Sequence, residues 1–390
     1  MRIGLFIDTF YPMIDGVVTV VDNYARILSN YKNTDVIVFA PATGIYDDTK
    51  LPYKVVRCKS IKLPKLDYSL PLPKMDRKFL KELDKYKLDI IHIHSPATIG
   101  RLGVEYAMRH NIPLFGTIHS QFYKDFYRAT KNKLLSKKLT DNTMKVFEKC
   151  DVCYTVNEGM RDVIVNEYGF KNKLLLARNA TNWNLVDSID ESLKRIKDLY
   201  NIKNKYIFLF VGRINKLKNI FLIVDALNYI KDKIDFKMLF VGDGQDKKEL
   251  SLKIKEYHLE DRVVLCGKCS NRDLLRDYYA SSDLFLFPSL YDASSVVQIE
   301  AASQMCPGLF IKGSATSSSI KDEYNGYLSN NDYKEYGNKI IEIMNNKDKL
   351  LAVKKNAYKE IYCTWDSEVK KVYNKYLEII NNKNVFNCDK

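Results

Sequence analysis

The sequence predicts an α/β protein of two Rossmann-like domains facing each other across a cleft. With 390 residues, the chain is longer than one hydrophobic core usually organises. Short apolar runs alternate with longer amphipathic segments throughout, which is typical of parallel sheets covered by helices. A polar segment from Arg178 to Asp190 separates two similar series and indicates a linker. These observations place the domains at residues 1–180 and 190–360.

The first series starts at the first residues of the chain. Met1 to Asp8 is too short and too soon acidic for a signal peptide, so it indicates a first strand. The predicted strands are Ile3–Ile7, Val36–Ala40, Lys54–Arg57, Ile90–His94, Leu114–Thr117 and Val152–Val156. The predicted helices lie near Val17–Ser29, Arg77–Tyr86, Gly100–Arg109, Lys133–Lys149 and Gly159–Glu167.

The second series follows the linker. Its predicted strands are Tyr206–Val211, Lys237–Val241, Val263–Cys266, Leu284–Phe287 and Leu309–Ile311. Its predicted helices lie near Leu217–Ile230, Lys247–Tyr257, Arg272–Ser281, Ser295–Ser303 and Tyr333–Met344, with two more around Trp365. Two similar α/β halves are expected to bind ligand at the carboxyl ends of their strands.

Composition narrows the class of partner. The net charge is +14, and the basic excess is concentrated in residues 51–150. Such a surface suits a membrane, a nucleic acid or phosphates, whereas a general bias toward lysine would serve only solubility. The aromatic-basic stretch Gln121–Arg128 and the lysines after it fit a membrane interface, stacked bases or a solvated helix face. No apolar run of about 18 residues occurs, and we expect a cytoplasmic protein.

Metal and disulfide sites are not favoured. The pairs Cys150/Cys153 and Cys266/Cys269 have a zinc-like spacing, but they lie more than a hundred residues apart and partly within apolar strands. His92 and His94 alternate on one strand without a third ligand nearby. Packing or hydrogen bonding explains them better than a metal.

The most informative segment runs from Pro288 to Glu300. It follows an apolar strand and contains two carboxylates, Asp292 and Glu300, on either side of a predicted helix start at Ser294 and Ser295. Unpaired amides at a helix start bind anions, and a carboxylate further along the helix can reach a ribose. The segment therefore predicts a sugar-nucleotide site.

Two further loops at strand ends fit such a ligand. Arg213 and Lys218 follow the strand ending at Val211 and suit a diphosphate, although a solvated basic loop is the alternative. The sequence Val241-Gly-Asp-Gly allows a backbone to approach a ligand closely. Because no Asp-x-Asp motif occurs, cations and a helix start would hold the diphosphate without a metal.

Two residues of the first half belong to this group. Gly16 precedes a helix and either admits a ligand or makes a turn. His119 ends a strand, where it either bonds a hydroxyl or serves the structure. The loop around Gly16 does not contain the Gly-x-Gly-x-x-Gly fingerprint, which argues against an enzyme that binds a dinucleotide.

In their order and spacing, these motifs resemble those of glycosyltransferase family 4, retaining enzymes of the GT-B fold. The resemblance runs from the loop Ile14–Val18 to the last helices and rests on a series of segments. They are Asp89-Ile-Ile-His-Ile-His-Ser-Pro96, Gly116-Thr-Ile-His119, Val211-Gly-Arg213 with Lys218, Val241-Gly-Asp-Gly244, and Pro288-Ser289 through Glu300. The first half looks most like the bacterial diacylglycerol glucosyltransferases.

The resemblance implies a role for each candidate residue, and a nucleotide sugar as the donor with no further cofactor or metal. Helices at about 365–385 would return to the first domain. The implied catalytic residues are His119, Asp292, Arg213 and Lys218. The implied donor-binding residues are Gly16 (diphosphate), Arg213, Lys218 (phosphates), Gly242, Gly267 (nucleobase), Ser294, Ser295, Val296 (backbone amides) and Glu300 (ribose).

The chain also departs from the family pattern. Asp292-Ala-Ser-Ser295 stands where the family has Glu-x-Phe-Gly, and Arg178-Asn-Ala180 stands where it has Pro-Asn-Gly. These changes leave the donor sugar and, to a smaller degree, the activity open.

The expected function is transfer of a hexose, glucose from UDP-glucose, to a membrane lipid such as diacylglycerol, by a peripheral protein on the inner face of the cell membrane. We expect an anionic membrane surface and a lipid or glycan acceptor as partners, and no nucleic acid. The alternatives are transfer to a polysaccharide or polyprenyl-linked glycan, a UDP-sugar epimerase, and a non-catalytic sugar-nucleotide binder.

Overall fold

A computed structural model describes residues 1–13, 15–62 and 69–388, with side chains described as far as residue 382. Ile14, the first residue of the loop Ile14–Val18, lies outside the described residues. The chain divides into a first unit of Met1–Asn179 with Trp365–Lys390 and a second unit of Ala180–Thr364.

The first unit is built on a parallel sheet of seven strands. Its strands, with a small hairpin of β4 and β5, are β1 (Arg2–Phe6), β2 (Asp35–Pro41), β3 (Lys54–Cys58), β4 (Ser60–Lys62), β5 (Ser69–Pro71), β6 (Ile90–Ile93), β7 (Leu114–Ile118), β8 (Val152–Thr155) and β9 (Leu174–Leu176). The order across the sheet is β3-β2-β1-β6-β7-β8-β9. The direction of strand addition reverses between β1 and β6, as in doubly wound folds.

The second unit repeats this plan with six parallel strands. They are β10 (Tyr206–Val211), β11 (Phe236–Val241), β12 (Val263–Gly267), β13 (Leu284–Leu286), β14 (Gly308–Ile311) and β15 (Tyr327–Ser329). Their order is β12-β11-β10-β13-β14-β15, so the reversal lies between β10 and β13. The two Rossmann-like sheets confirm the predicted fold class.

Helices connect successive strands, as parallel sheets require. Their bounds are α1 (Gly16–Ser29), α2 (Arg77–Lys85), α3 (Thr98–His110), α4 (Phe122–Thr130), α5 (Lys133–Phe147), α6 (Glu158–Asp162), α7 (Ile189–Tyr200), α8 (Ile220–Ile230), α9 (Lys247–Glu256), α10 (Arg272–Ala280), α11 (Val296–Ser303), α12 (Tyr333–Asn345), α13 (Lys347–Glu360) and α14 (Trp365–Cys388). A π-helical turn, Val163–Glu167, follows α6.

Many helices begin at polar residues that satisfy the first backbone amides. The side chains of Asp15, Asp76, Asn132, Ser188 and Asn271 accept hydrogen bonds at the starts of α1, α2, α5, α7 and α10. The strands are apolar on both faces because helices cover both sides of a parallel sheet. The local sequence thus encodes both the helix starts and the core.

The last helix belongs to the first unit. α14 packs against α1, and in the turn after α1 the ring centroid of Tyr31 lies 4.3 Å from that of Tyr373. Val369, Val372 and Tyr376 are buried. The first unit therefore draws part of its core from the end of the chain. The half-buried Tyr373 also forms a hydrogen bond with Thr34, about 340 positions away.

The segment from Arg178 to Asp190, predicted as a linker, contains the boundary between the two units, Asn179/Ala180, and it is anchored to the second unit. Helix α7 already begins at Ile189, and Trp183 is 7% exposed with its ring 6.0 Å from that of Tyr279. The amide of Gln304 donates to Asn184 O at 2.9 Å. A buried indole and specific hydrogen bonds anchor this segment, which polarity alone does not reveal.

Candidate active site

The loops that leave β10 and β13 meet at the reversal point of the second sheet. β10 and β13 are neighbouring parallel strands, with Leu209 aligned with Phe285. Their carboxyl ends therefore place the segments 212–219 and 288–295 side by side. Ligands of open α/β sheets bind at this position.

The loop after β10 is held in one conformation by its asparagines. Asn215 Oδ1 accepts the N–H of Lys218 at 3.2 Å and starts a 3₁₀ turn, Lys216–Lys218. Asn219 then adopts a left-handed conformation (φ 56°), and its Nδ2 donates to Pro288 O at 3.3 Å. Lys218 thus lies in a turn before α8, which begins at Ile220, rather than within the predicted helix from Leu217.

Lys218 and Asp292, predicted from separate motifs, form an ion pair. Lys218 Nζ lies 2.5 Å from Asp292 Oδ1, and each side chain is 18% exposed. The ammonium also lies 5.6 Å from the centre of the Phe287 ring. Arg213, from the same loop, is exposed. The site thus offers one cation held by a carboxylate and a second at the surface.

Helix α11 begins directly beside this pair. Ser295 is its N-cap, 8% exposed, and its hydroxyl accepts no hydrogen bond from the helix amides. Val296 is the first helical residue, and Ser294 precedes the cap. The first amides of a helix have no acceptor within the helix and carry the positive end of its dipole. The start of α11 is therefore suited to an anion.

Glu300 lies on α11 one turn after Val296. Tyr279 Oη donates to Glu300 Oε2 at 3.3 Å. Loss of hydration raises the pKa of Glu300 to about 7, although the Tyr279 hydrogen bond and the charge of Arg272 oppose the change. Near neutral pH this carboxyl is therefore only partly ionised, and its oxygens can accept hydrogen bonds from two adjacent hydroxyls of a ligand. Sequence reasoning missed Tyr279, which lies on α10 and has no motif.

The glycines of the predicted site serve the backbone in different ways. A β-carbon on Gly242 would lie 1.9 Å from Gly212 O, and the Gly242 N–H donates to Gly267 O at 2.8 Å. Gly267 has φ +77°, and a β-carbon there would meet nothing within 4 Å. Gly242 is therefore required for close packing of two loops, whereas Gly267 borders open space.

Gly16 and His119 belong to the first unit. Gly16 is the first residue of α1, and a β-carbon there would meet nothing within 4 Å. His119 follows β7, with Nε2 3.1 Å from His94 Nδ1. Loss of hydration lowers the pKa of His119 to about 3, so its imidazole is neutral at physiological pH.

A buried carboxylate that the sequence analysis did not single out lies at the end of β1. Asp8 accepts hydrogen bonds from the N–H groups of Ile99 at 2.7 Å and Gly100 at 3.3 Å, and from Ser95 Oγ at 2.9 Å. Burial raises the pKa of Asp8 despite these bonds. It ties the start of α3 to β1. An acidic residue immediately after a first strand is the signal that could have identified it.

Among residues 1–13, 15–62 and 69–388, His, Cys, Asp and Glu form no group of three or more arranged to hold a metal ion. No helix in that part of the chain has the length and apolar character needed to cross a membrane.

The chain matches two family models in tandem. Residues 14–182 match the model described as Glycosyltransferase Family 4, and residues 192–360 match Glycosyl transferases group 1. The chain belongs to glycosyltransferase family 4. Each model covers most of one unit, so the assignment rests on nearly the whole glycosyltransferase.

Similar proteins act on lipids and lipid-linked glycans. The glycosyltransferase is 26% identical to the alpha-monoglucosyldiacylglycerol synthase of Acholeplasma laidlawii, over 92% of each chain. It is also 26% identical, over 88% of each chain, to the UDP-Gal:alpha-D-GlcNAc-diphosphoundecaprenol alpha-1,3-galactosyltransferase of Escherichia coli.

The fold agrees with solved glycosyltransferases. The structure of Anabaena Alr3699/HepE in complex with UDP is 14% identical and superposes with a TM-score of 0.77, covering 97% of this chain and 99% of that one. At this identity the likeness establishes the fold, which is GT-B.

Proposed function

We propose that this glycosyltransferase transfers glucose from UDP-glucose, with retention of anomeric configuration, to the hydroxyl of a membrane lipid such as diacylglycerol. The observation that carries the proposal is the meeting of Lys218, Asp292 and the start of α11 at the reversal point of the second sheet. The name of the Acholeplasma relative supports the lipid and the sugar. The UDP bound to the Anabaena structure supports the nucleotide.

In this proposal the second unit holds the donor. Arg213 and Lys218 neutralise the diphosphate, and the amides of Ser294, Ser295 and Val296 bond its phosphate or sugar oxygens. Glu300 accepts hydrogen bonds from the ribose hydroxyls. Gly242 keeps two loops of this unit in close contact, and Gly267 borders the nucleobase. Gly16, a residue of the first unit, is assigned to the diphosphate.

The reaction exchanges one bond at the anomeric carbon for another on the same face. The bond from that carbon to the β-phosphate oxygen breaks, and the leaving diphosphate keeps the electron pair. The acceptor oxygen bonds to the carbon, and its proton passes to the departing phosphate oxygen. Arg213 and Lys218 stabilise the charge that develops there. His119 and Asp292 contact the transferred sugar and orient it.

The test is transfer of radiolabelled glucose from UDP-glucose to diacylglycerol in mixed micelles. We expect a labelled glycolipid whose anomeric proton coupling is that of an α-glycoside. A β-linked product would overturn retention. Consumption of UDP-glucose when no acceptor is added and no UDP is released would instead indicate an epimerase. Binding without turnover on any acceptor would indicate a sugar-nucleotide binder.

A second acceptor class is supported by the Escherichia coli relative, whose name specifies a diphosphoundecaprenol-linked sugar. The same assay includes a polyprenyl-diphosphate-linked acceptor beside diacylglycerol. Transfer to that acceptor alone would replace the lipid assignment with lipid-linked glycan synthesis and leave the donor assignment intact.

We further propose that the first unit binds an anionic membrane at the cytoplasmic face, through the start of α5. Leu134 is 82% exposed and Leu135 44% exposed. Lys131, Lys133, Lys137 and Lys138 surround them and are all exposed. Two leucines can enter the interface while each lysine near the surface contributes about 1 kcal/mol with anionic lipid.

The surface is tested by co-sedimentation with vesicles that contain or lack phosphatidylglycerol. We expect Leu134→Gln with Leu135→Gln to reduce binding at least several-fold. The control is Leu199→Gln, because Leu199 on α7 of the second unit is 55% exposed but its charged neighbours in the sequence are of both signs. Equal loss in both variants, or equal binding to neutral vesicles, would overturn this surface.

A further inference from the structure

Three imidazoles of the first unit form a stack that ends at His119. His92 and His94 lie at the end of β6, and their ring centroids are 4.2 Å apart. His94 and His119 are stacked at 5.4 Å. The ring of Tyr24 packs edge-on against His94 at 5.5 Å. The middle imidazole is 2% exposed and is therefore fixed by packing on several sides.

The hydrogen bonds of the stack are unequal. His92 uses both ring nitrogens, Nδ1 with Tyr376 Oη at 2.5 Å and Nε2 with Thr117 Oγ1 at 2.7 Å. His94 bonds only through Nδ1, to His119 Nε2 at 3.1 Å. The other nitrogen of His94, Nε2, is buried and has no hydrogen-bond partner among the described residues.

This inequality decides which nitrogen carries the proton. Both rings are neutral, since loss of hydration lowers the pKa of each, so each carries one N–H. If His94 donates from Nδ1, its buried Nε2 is only a lone pair. If His94 accepts instead, Nε2 must carry a buried N–H without an acceptor. Orphaned buried N–H groups are rarer and costlier than unused acceptors, so His94 is assigned as the donor.

We propose that His94 is a positioning residue that fixes His119 as the tautomer protonated on Nδ1. Because Nε2 of His119 accepts from His94, its remaining nitrogen presents a hydrogen-bond donor. The inference rests on the proposed function, in which His119 contacts the transferred sugar. His119 then recognises a sugar hydroxyl oxygen as an acceptor and cannot take up the proton of the lipid hydroxyl. The leaving phosphate oxygen remains as the group that receives it.

The tautomer is measured directly by long-range ¹H–¹⁵N correlation spectra of the free protein at pH 7. The chain has 5 histidines, so the spectrum is sparse, and His119→Gln identifies the signal by its loss. We expect the ¹⁵N shifts of His119 to show a protonated Nδ1 and a bare Nε2. A bare Nδ1, or an imidazolium, would overturn the proposal. The sample contains neither UDP-glucose nor a lipid acceptor, so this result does not depend on whether the protein transfers glucose.

Variants connect the tautomer to turnover. His94→Phe keeps the ring packing and removes the donor, so we expect His119 to become a mixture of tautomers and kcat/KM to fall about 3- to 10-fold, the weight of one hydrogen bond. His94→Asn restores an N–H near the same place and should recover most of this loss. Thr117→Val is the control, because it removes only a hydrogen bond to His92. A folded His94→Phe protein with unchanged His119 shifts would contradict the positioning role.

Discussion

Replacing Glu300 by Gln should stabilise the free protein in a pH-dependent way. Loss of hydration raises the pKa of Glu300 from 4.5 to about 7, so the folded state holds its proton more tightly than the unfolded chain does. The contribution of Glu300 to the free energy of unfolding is therefore fully present below about pH 4.5 and is lost as the pH rises toward 7. At about 1.4 kcal/mol per pH unit, the ionised carboxylate costs the folded protein about 3 kcal/mol above pH 7.

A neutral glutamine resembles the protonated carboxyl and removes this cost. Glu300→Gln should therefore match the wild type near pH 4.5 and exceed its free energy of unfolding by up to about 3 kcal/mol at pH 8. Urea unfolding across this range can be followed by the fluorescence of Trp183, which packs against Tyr279. A Trp365→Phe background removes the other tryptophan, which belongs to the first unit.

A second carboxylate of the same unit provides a control of opposite sign. Glu323 bonds Lys339 and Lys349, which lower its pKa to about 2. Its contribution is present above about pH 4.5 and disappears as the pH falls toward 2. Glu323→Gln should thus be destabilising at pH 8. If Glu300→Gln instead gave a difference independent of pH, or a less stable protein at pH 8, the reasoning from desolvation would be refuted.

Three further predictions concern the site. Ribose hydroxyls that bond Glu300 favour its ionised form, so UDP binding at pH 7 should release a fraction of a proton. Calorimetry in buffers of different ionisation enthalpy measures this release, and Glu300→Gln should abolish it. Asp292→Asn frees the Lys218 ammonium, so UDP should bind several-fold more tightly while glucosyl transfer falls about 100-fold; weaker UDP binding would contradict the pair. Gly242→Ala places a β-carbon 1.9 Å from Gly212 O and should lower the free energy of unfolding in urea by about 3 kcal/mol, against about 1 kcal/mol for Gly267→Ala, where only the positive φ opposes the side chain.

The sequence predicted what depends on strand ends. The order of the apolar runs predicted both sheets. Lys218 and Asp292 follow two of these strands, and residues at the carboxyl ends of parallel strands lie at the same edge of a sheet, so both could be assigned to one site. Their direct pairing required knowing that β13 adds beside β10, an order that periodicity does not contain. The short edge strands β9 and β15, of three residues each, were likewise not predicted.

The partners of the site residues were harder to predict. Tyr279 meets Glu300 through two helices that pack together, and no local spacing relates them. His92 and His94 were expected to serve packing or hydrogen bonding, and the structure confirms this with bonds to Tyr376, Thr117 and His119. Thr117 and His119 are their partners because β7 lies beside β6, whereas Tyr376 comes from α14.

The discontinuous first unit has a consequence for biosynthesis. Its α1 surface is completed only by α14, which begins at Trp365 after the whole second unit has been translated. At about 5–20 residues per second, the ribosome needs roughly 10–40 s to cross that interval. During this time Val369, Val372 and Tyr376, which are buried in the folded unit, are not yet available to cover the apolar residues they pack against. We therefore expect the emerging polypeptide to depend on chaperones, and a chain truncated before Trp365 to be unstable.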